Sequence, residues 1–400
     1  VRVIATLGLV FTAAVLATAQ SGGKQIITTG GNPSLPFSPA VKAGGFIYVA
    51  GAIGDGSTPL AKGDVRAQTR QTLDGIQKTL QAAGSSLANA ASVTVYLRNA
   101  ADAGAMNEVY ATYFPANPPA RTTVVVPQAL ASADGLIEIS MIAIPNGGER
   151  VVVHPDGWAK VPSPYSYGIK SGNTLFLSGL VSRSPKDNTN VTGDITAQTK
   201  FVLENGAAIL KQAGMSYADV VSSRVYLADD STFQAMNAAY RPFFSDIPPA
   251  RLTVKSGLPG ADYAVEIQMI AVKDATRLAV TTPNADGTPG RANANLSAAI
   301  RIGNRLYVSG ITGNTQENRG DVKAQSSEVL ARVDRTLKAA GYTWADVVDA
   351  TVFMKDMAGF NDMNTAYRQT FAKDFPARAT VGLPPVGGDT LVEMMFVAVK

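Results

Sequence analysis

Residues 174–181, TLFLSGLV, alternate apolar with small or polar positions and read as a β-strand. From about Asp194 to Ala213 the period lengthens. Val202, Ile209, Leu210 and Ala213 recur at helical spacing, and Gly214 stands where a helix end wants a left-handed residue. SSRVYLA (222–228) reads as a second strand. Asp230 or Ser231 can cap a second helix that carries Phe233, Met236, Tyr240 and Phe243/Phe244 on its apolar side. Pro248 and Pro249 stop that helix and aim the chain into RLTVKS, and YAVEIQMIAVK (263–273) forms a last strand. On this strand Val265, Ile267, Met269 and Ala271 point one way, while Glu266, Gln268, Ile270 and Val272 point the other. A sheet apolar on both faces, with helices covering only one, needs a partner for the other.

The chain supplies such partners by repetition. GDVRAQTRQTLDGIQKTLQAAG (63–84) aligns with GDITAQTKFVLENGAAILKQAG (193–214) and GDVKAQSSEVLARVDRTLKAAG (320–341). MNEVY, MNAAY and MNTAY begin at residues 106, 236 and 363. The strand FIYVAG matches LFLSG and LYVSG, EISMIAI matches EIQMIAV and EMMFVAV, and NPPARTTV matches IPPARLTV and DFPARATV. The interval from Gln68 to Arg121, Gln198 to Arg251 and Gln325 to Arg378 is 53 residues each time. The period of 127–130 residues is that of a whole small domain, not of a solenoid. Three α+β domains are expected, at 24–147, 150–274 and 277–400, packed sheet to sheet as a pseudo-trimer within one monomeric chain.

Composition narrows the chemistry. Hydrophobic residues make up 46% and charged residues 16% of the 400, the balance of a folded chain. A net charge of +4, spread along the sequence without a basic cluster interleaved with aromatics, gives no reason to expect a nucleic-acid partner. The absence of Cys excludes thiol nucleophiles, disulfides and thiolate metal sites. His154, the single His, reads as part of an interdomain segment, so no metal site and no cofactor are expected. The first residues, VRVIATLGLVFTAAVLATAQ, join one Arg to an apolar run and a small-x-small step at Ala17-Thr18-Ala19. They read as a signal peptide over 1–19, which implies export to the periplasm or beyond and no membrane attachment after cleavage.

The strand-SG step, the AQ…L…L…AAG helix, MNxxY, PAR at a strand start and a last strand led by Glu, in this order, resemble the RidA family, also called YjgF or L-PSP. The resemblance runs three times through residues 24–400. It implies a chorismate-mutase-like domain, trimers with sheets facing inward, clefts between neighbours, and hydrolysis of 2-imino and 2-enamino acids to 2-keto acids and ammonia.

On this reading Arg121, Arg251 and Arg378 each hold a substrate carboxylate, for which the planar guanidinium fork is suited. Backbone N–H groups of Thr123, Thr253 and Thr380 assist. Glu138, Glu266 and Glu393 match the water-activating Glu; burial would raise such a carboxyl towards neutrality. The plain alternatives are packing between domains for the Arg residues and an ordinary strand-edge carboxylate for Glu. Asn107, Asn237 and Asn364 match a cleft position that orients substrate or ties a helix to a loop.

The hydroxyl positions diverge among the copies. Copy two has Tyr165 and Ser178, copy one Phe37 and Ala50, copy three Leu296 and Ser309. The cleft with Tyr165 is therefore expected to dominate. The expected partner is a small 2-imino or 2-keto acid. A non-catalytic small-carboxylate binder is the second reading, and an endoribonuclease the third.

Overall fold

The computed structural model describes residues 23–29, 35–126, 128, 130–244, 247–371 and 373–400. The expected signal peptide lies outside them. Three sheets follow one another along the chain. The first is ordered Gln25–Ile27, Ala40–Ala43, Phe46–Ala52, Ile137–Ala143, Ala90–Leu97, Ala120–Val125. The others repeat this plan from Val151–Val153 to Ala250–Lys255 and from Leu278–Val280 to Ala377–Val381. In each, the strand opened by Ala-Arg is the edge and runs parallel to its neighbour, while the last strand lies mid-sheet between antiparallel partners. Each unit therefore mixes parallel and antiparallel pairing, as an α+β domain can.

Helices α1 (Val65–Ala82), α2 (Ala103–Tyr113), α3 (Ile195–Gln212), α4 (Phe233–Tyr240), α5 (Val322–Ala339) and α6 (Phe360–Thr370) supply two per unit. The long helices begin at Asp64, Asp194 and Asp321, each accepting a bond from the backbone N–H three residues on. They end at Gly84, Gly214 and Gly341, all at positive φ, where only glycine avoids Cβ strain. The second-helix cap differs from expectation. Thr232 is the cap residue of α4 and makes no side-chain cap bond, and Asp229 caps only the 3₁₀ turn over Asp230–Thr232 before it, accepting from the Ser231 N–H. The buried Gln68, Gln198 and Gln325, so regular in the sequence, are structural. Each bonds backbone groups just before the last strand, for example Asp134 O and Leu136 N for Gln68.

Each helix pair covers one sheet face over a private core, which in unit 2 contains Val265, Ile267, Met269 and Ala271. The opposite faces meet. One shared core joins Phe46, Tyr48 and Ala91 to Ile169, Phe176 and Val221 and to Ile300, Tyr307 and Val348. A second joins Tyr96 and Val124 to Tyr226 and Leu252 and to Phe353 and Val381. A Val, Ile, Leu or Phe buried there contributes about 1.5–3 kcal/mol that an isolated unit would forgo. The doubly apolar last strand thus has the partner its pattern demanded. The three units form an intramolecular pseudo-trimer with a small polar cavity on its axis, lined by Ser92, Thr94, Ser222, Arg224, Gln268 and Asp349 among others.

The repeated PAR step closes this ring. Ser166 of unit 2 donates its backbone N–H to Pro119 O (3.0 Å) and its hydroxyl to Pro118 O (2.6 Å) of unit 1. Ser297 of unit 3 does the same with Pro249 and Pro248 of unit 2. Ser38 of unit 1 bonds Pro376 O and Phe375 O of unit 3. The order around the ring is therefore unit 1, unit 2, unit 3 and back, and each PAR edge meets the following unit.

Candidate active site

Each boundary brings an Arg from one unit against a Glu from the next. Arg121 acts on Glu266, Arg251 on Glu393 and Arg378 on Glu138. All six are buried. The Arg follows the two residues that clasp the neighbour, so the same backbone segment fixes both the boundary and the guanidinium. The Glu reaches across because the strand-SG step of its own unit lies alongside. A Cβ on Gly51, Gly179 or Gly310 would collide with the carboxyl of Glu138, Glu266 or Glu393 respectively. None of these glycines has a positive φ, so close approach is what requires them. Thr123 donates its N–H to Glu266 Oε1 (3.3 Å), and the Thr380 N–H bonds Glu138. The hydroxyls of Thr123, Thr253 and Thr380 are buried without a hydrogen-bond partner.

Burial dominates the electrostatics. It pushes Glu138, Glu266 and Glu393 up to about 8 each, against the opposing pull of the facing Arg. It also lowers the three Arg, Arg378 to about 10. At neutral pH each boundary therefore holds a guanidinium beside a largely protonated carboxyl.

Below each Arg lies the Tyr of MNxxY. Tyr110, Tyr240 and Tyr367 place their ring centroids 4.8, 4.8 and 4.6 Å from the guanidinium carbons. These tyrosines, and the three glycines, are site components that sequence reasoning read only as repeat markers. The signal was present: each Tyr precedes its Arg by 11 residues.

The asparagines separate the clefts. Asn237 Oδ1 accepts from Arg251 Nη2 (2.7 Å) and Asn364 Oδ1 from Arg378 Nη2 (2.8 Å). Asn107 does not hold Arg121; its Oδ1 is buried without a partner. Among the described residues the Arg121 guanidinium has no hydrogen-bond acceptor, and its Nη1 is buried. Tyr165 of unit 2 faces this Arg, with its ring 6.0 Å from the guanidinium carbon. Phe37 stands 5.6 Å from Arg378 in the corresponding place.

Ser178 has a different part from direct reach to substrate. Its hydroxyl accepts from Arg121 N (3.1 Å) and donates to Ser166 O, so it ties the Arg strand of unit 1 to the segment of its own unit that clasps Pro118 and Pro119. Ser309 does likewise for Arg251 and Ser297 O. Ala50 cannot do this for Arg378. His154 lies outside the clefts, with Nε2 3.0 Å from Trp158 O.

The profile of the endoribonuclease L-PSP family matches residues 29–145, 159–273 and 288–400, most of the chain. This chain belongs to that family. It carries three tandem copies of the RidA-type domain, where the relatives align over one. A RutC family protein of Pyrococcus horikoshii is 46% identical over 125 residues, 31% of this chain and 99% of the relative. A protein named 3-aminoacrylate deaminase RutC, of Acinetobacter baylyi, is 40% identical over 122 residues, 30% of this chain and 97% of the relative. A solved chorismatase covers 87% of this L-PSP chain at a TM-score of 0.52 and 12% identity, a likeness of fold alone. These relatives support a deaminase activity at the level of the family.

Proposed function

We propose that this protein hydrolyses small 2-imino and 2-enamino acids to 2-keto acids and ammonia at the boundaries between its units, chiefly between units 1 and 2. The observation that carries the reading is the buried Arg121 guanidinium. It lacks a hydrogen-bond acceptor among the described residues and faces a carboxyl from the next unit whose burial keeps it near neutrality. A guanidinium in that state is a receptor for a carboxylate. A neutral Glu266 does not repel that carboxylate, and it has a proton to give.

The reaction follows from these two groups. Glu266 donates a proton to the imine nitrogen, or to C3 of an enamine, making C2 electrophilic. As carboxylate it then accepts a proton from the water that adds to C2. Returning that proton to nitrogen lets the C–N bond break: ammonia leaves with the bonding pair as the C2 carbonyl forms, and the C2 hydroxyl gives its proton to the Glu266 carboxylate, which restores the neutral acid. A catalytic pKa near the working pH suits a group that must give and take in one cycle. Nothing in the scheme calls for a cofactor; holding water and substrate together supplies much of the gain. On this reading Thr123 and Asn107 contact the substrate.

Between units 3 and 1, Phe37 and Ala50 replace the hydroxyls, which favours carboxylate binding with little turnover there. The test is to generate an imino acid in the presence of the purified protein and time ketoacid release. Release no faster than in buffer, with carboxylates still bound, would select the binding reading throughout.

A further inference from the structure

One charged side chain at the boundary of units 1 and 2 has no counterpart at the other two. Arg183 comes four residues after Gly179; at that register unit 1 has Asp55 and unit 3 has Asn314. Its position is built by neighbours. Nε donates to the Tyr263 hydroxyl (3.2 Å) and Nη1 to the Tyr165 hydroxyl (3.4 Å). The Tyr263 hydroxyl in turn donates to Asn190 Oδ1 (2.6 Å). The Arg183 guanidinium carbon also lies 5.9 Å from the Tyr263 ring centroid. These partners are neutral phenols, and Nη2 has no acceptor among the described residues. Arg183 is half-buried, so its charge stands at the cleft's edge instead of inside it.

Tyr165 connects this charge to the reaction centre. Its ring faces Arg121 and its hydroxyl meets Arg183. From these two contacts the guanidinium carbons are no more than roughly 14 Å apart, so a diacid of up to about five carbons, held at both ends by N–H···O bonds of about 2.8 Å, can span them. Both guanidiniums also act on Glu266, Arg121 more strongly than Arg183. The cleft thus holds two permanent positive charges and one carboxyl that burial keeps largely neutral. A monocarboxylate answers one charge and leaves the other with phenols alone; a dicarboxylate answers both.

We propose that the cleft between units 1 and 2 selects dicarboxylic substrates, with the carboxylate next to C2 on Arg121 and the distal one on Arg183. This rests on the reading of the cleft as a 2-imino acid site and names its substrate class: 2-imino and 2-keto diacids of up to about five carbons. The other clefts lack the feature. Asp55 is bound by its own loop, accepting from the Ser57 and Thr58 N–H groups (3.0 and 2.8 Å), and brings a negative charge to that register. Asn314 brings none.

Calorimetric titration of the full chain with 2-oxoglutarate and with 2-oxobutyrate tests this. The expected result is one tight 2-oxoglutarate site per chain, at least about tenfold tighter than 2-oxobutyrate. Arg183→Gln should weaken 2-oxoglutarate about ten- to hundredfold, as for a lost hydrogen-bonded charge, with a much smaller effect on 2-oxobutyrate. Arg183→Lys should recover part of the loss. Equal affinity for the two acids, or equal weakening of both by Arg183→Gln, would overturn the proposal. Binding keeps this distinct from deamination. Diacid selectivity without imine hydrolysis overturns only the deaminase reading, while hydrolysis of monocarboxylic imines without diacid selectivity overturns only this one.

Discussion

Arg121, Arg251 and Arg378 occupy one register but three environments. Arg251 and Arg378 are each tied to an asparagine, and Arg378 faces Phe37. Arg121 is untied and faces Tyr165. We therefore expect Arg121→Ala to lower turnover at least about tenfold, and Arg251→Ala and Arg378→Ala much less. Tyr165→Phe should cost more than Phe37→Tyr changes, since a lost hydroxyl contact is worth about 1–3 kcal/mol. Equal losses from the three Arg variants, with melting temperatures unchanged, would show equivalent clefts. The glutamates make a separate prediction. Each has a folded pKa near 8 against an ordinary 4.5. A group raised on folding contributes stability that is fully present below its unfolded pKa and lost as pH rises through the folded one. The melting temperature of the ligand-free protein should fall between about pH 5 and pH 8. A variant with all three glutamates changed to Gln should show a flatter profile over that window; an unchanged slope would count against the buried neutral carboxyls.

At the scale of elements, the strand-SG step and the PAR edge form one joint. The edge strand of one unit presents its proline carbonyls to a serine of the next, and the glycine of that next unit lets its own Glu approach the Arg. Gly179→Ala should keep the fold, because its backbone is open to Ala, yet displace the Glu266 carboxyl and lower activity about as much as Glu266→Gln. Gly310→Ala should have a smaller effect if the boundary of units 1 and 2 dominates. A fully active Gly179→Ala enzyme would mean that Glu266 is not held where the reaction needs it. The hydrophobic period revealed the helices and the last strand, because one face of each must be buried. It did not reveal the 3₁₀ turn before α4, since Asp229, Asp230 and Ser231 are all good caps and only backbone geometry chooses.

At the scale of the whole molecule, fusion permits asymmetry on the axis. Ser92, Ser222 and Asp349 share one register, and Thr94, Arg224 and Thr351 another. A homotrimer would place three arginines or three aspartates together; this chain places one of each. Arg224 Nη2 donates to Thr351 Oγ1 (3.0 Å), and its charge holds down an Asp349 carboxyl that burial raises to about 6. Asp349→Ser should leave Arg224 with an unbalanced charge and cost about 1–3 kcal/mol. Adding Arg224→Thr should restore most of it, because the pair then matches the neutral Ser and Thr of unit 1. A double variant no more stable than Asp349→Ser in urea unfolding would show that the two charges are not coupled.

The sequence by itself determined the three copies, their α+β character, the need of each sheet for a second partner, and the Arg and Glu at constant register. These are local or periodic properties, written in spacing and in which faces are apolar. It also showed that the hydroxyl set was complete only in copy two. It could not say which Arg meets Tyr165, because any ring order satisfies the same periodicity. Only the tertiary structure decided that unit 1 supplies Arg121 to unit 2, through the bonds of Ser166 to Pro118 and Pro119. The same holds for Arg183, which in sequence is one more loop cation. Its place beside Tyr165 and Tyr263 depends on contacts from strands far apart in the chain, and no residue's spacing along its own segment encodes where another segment will pack.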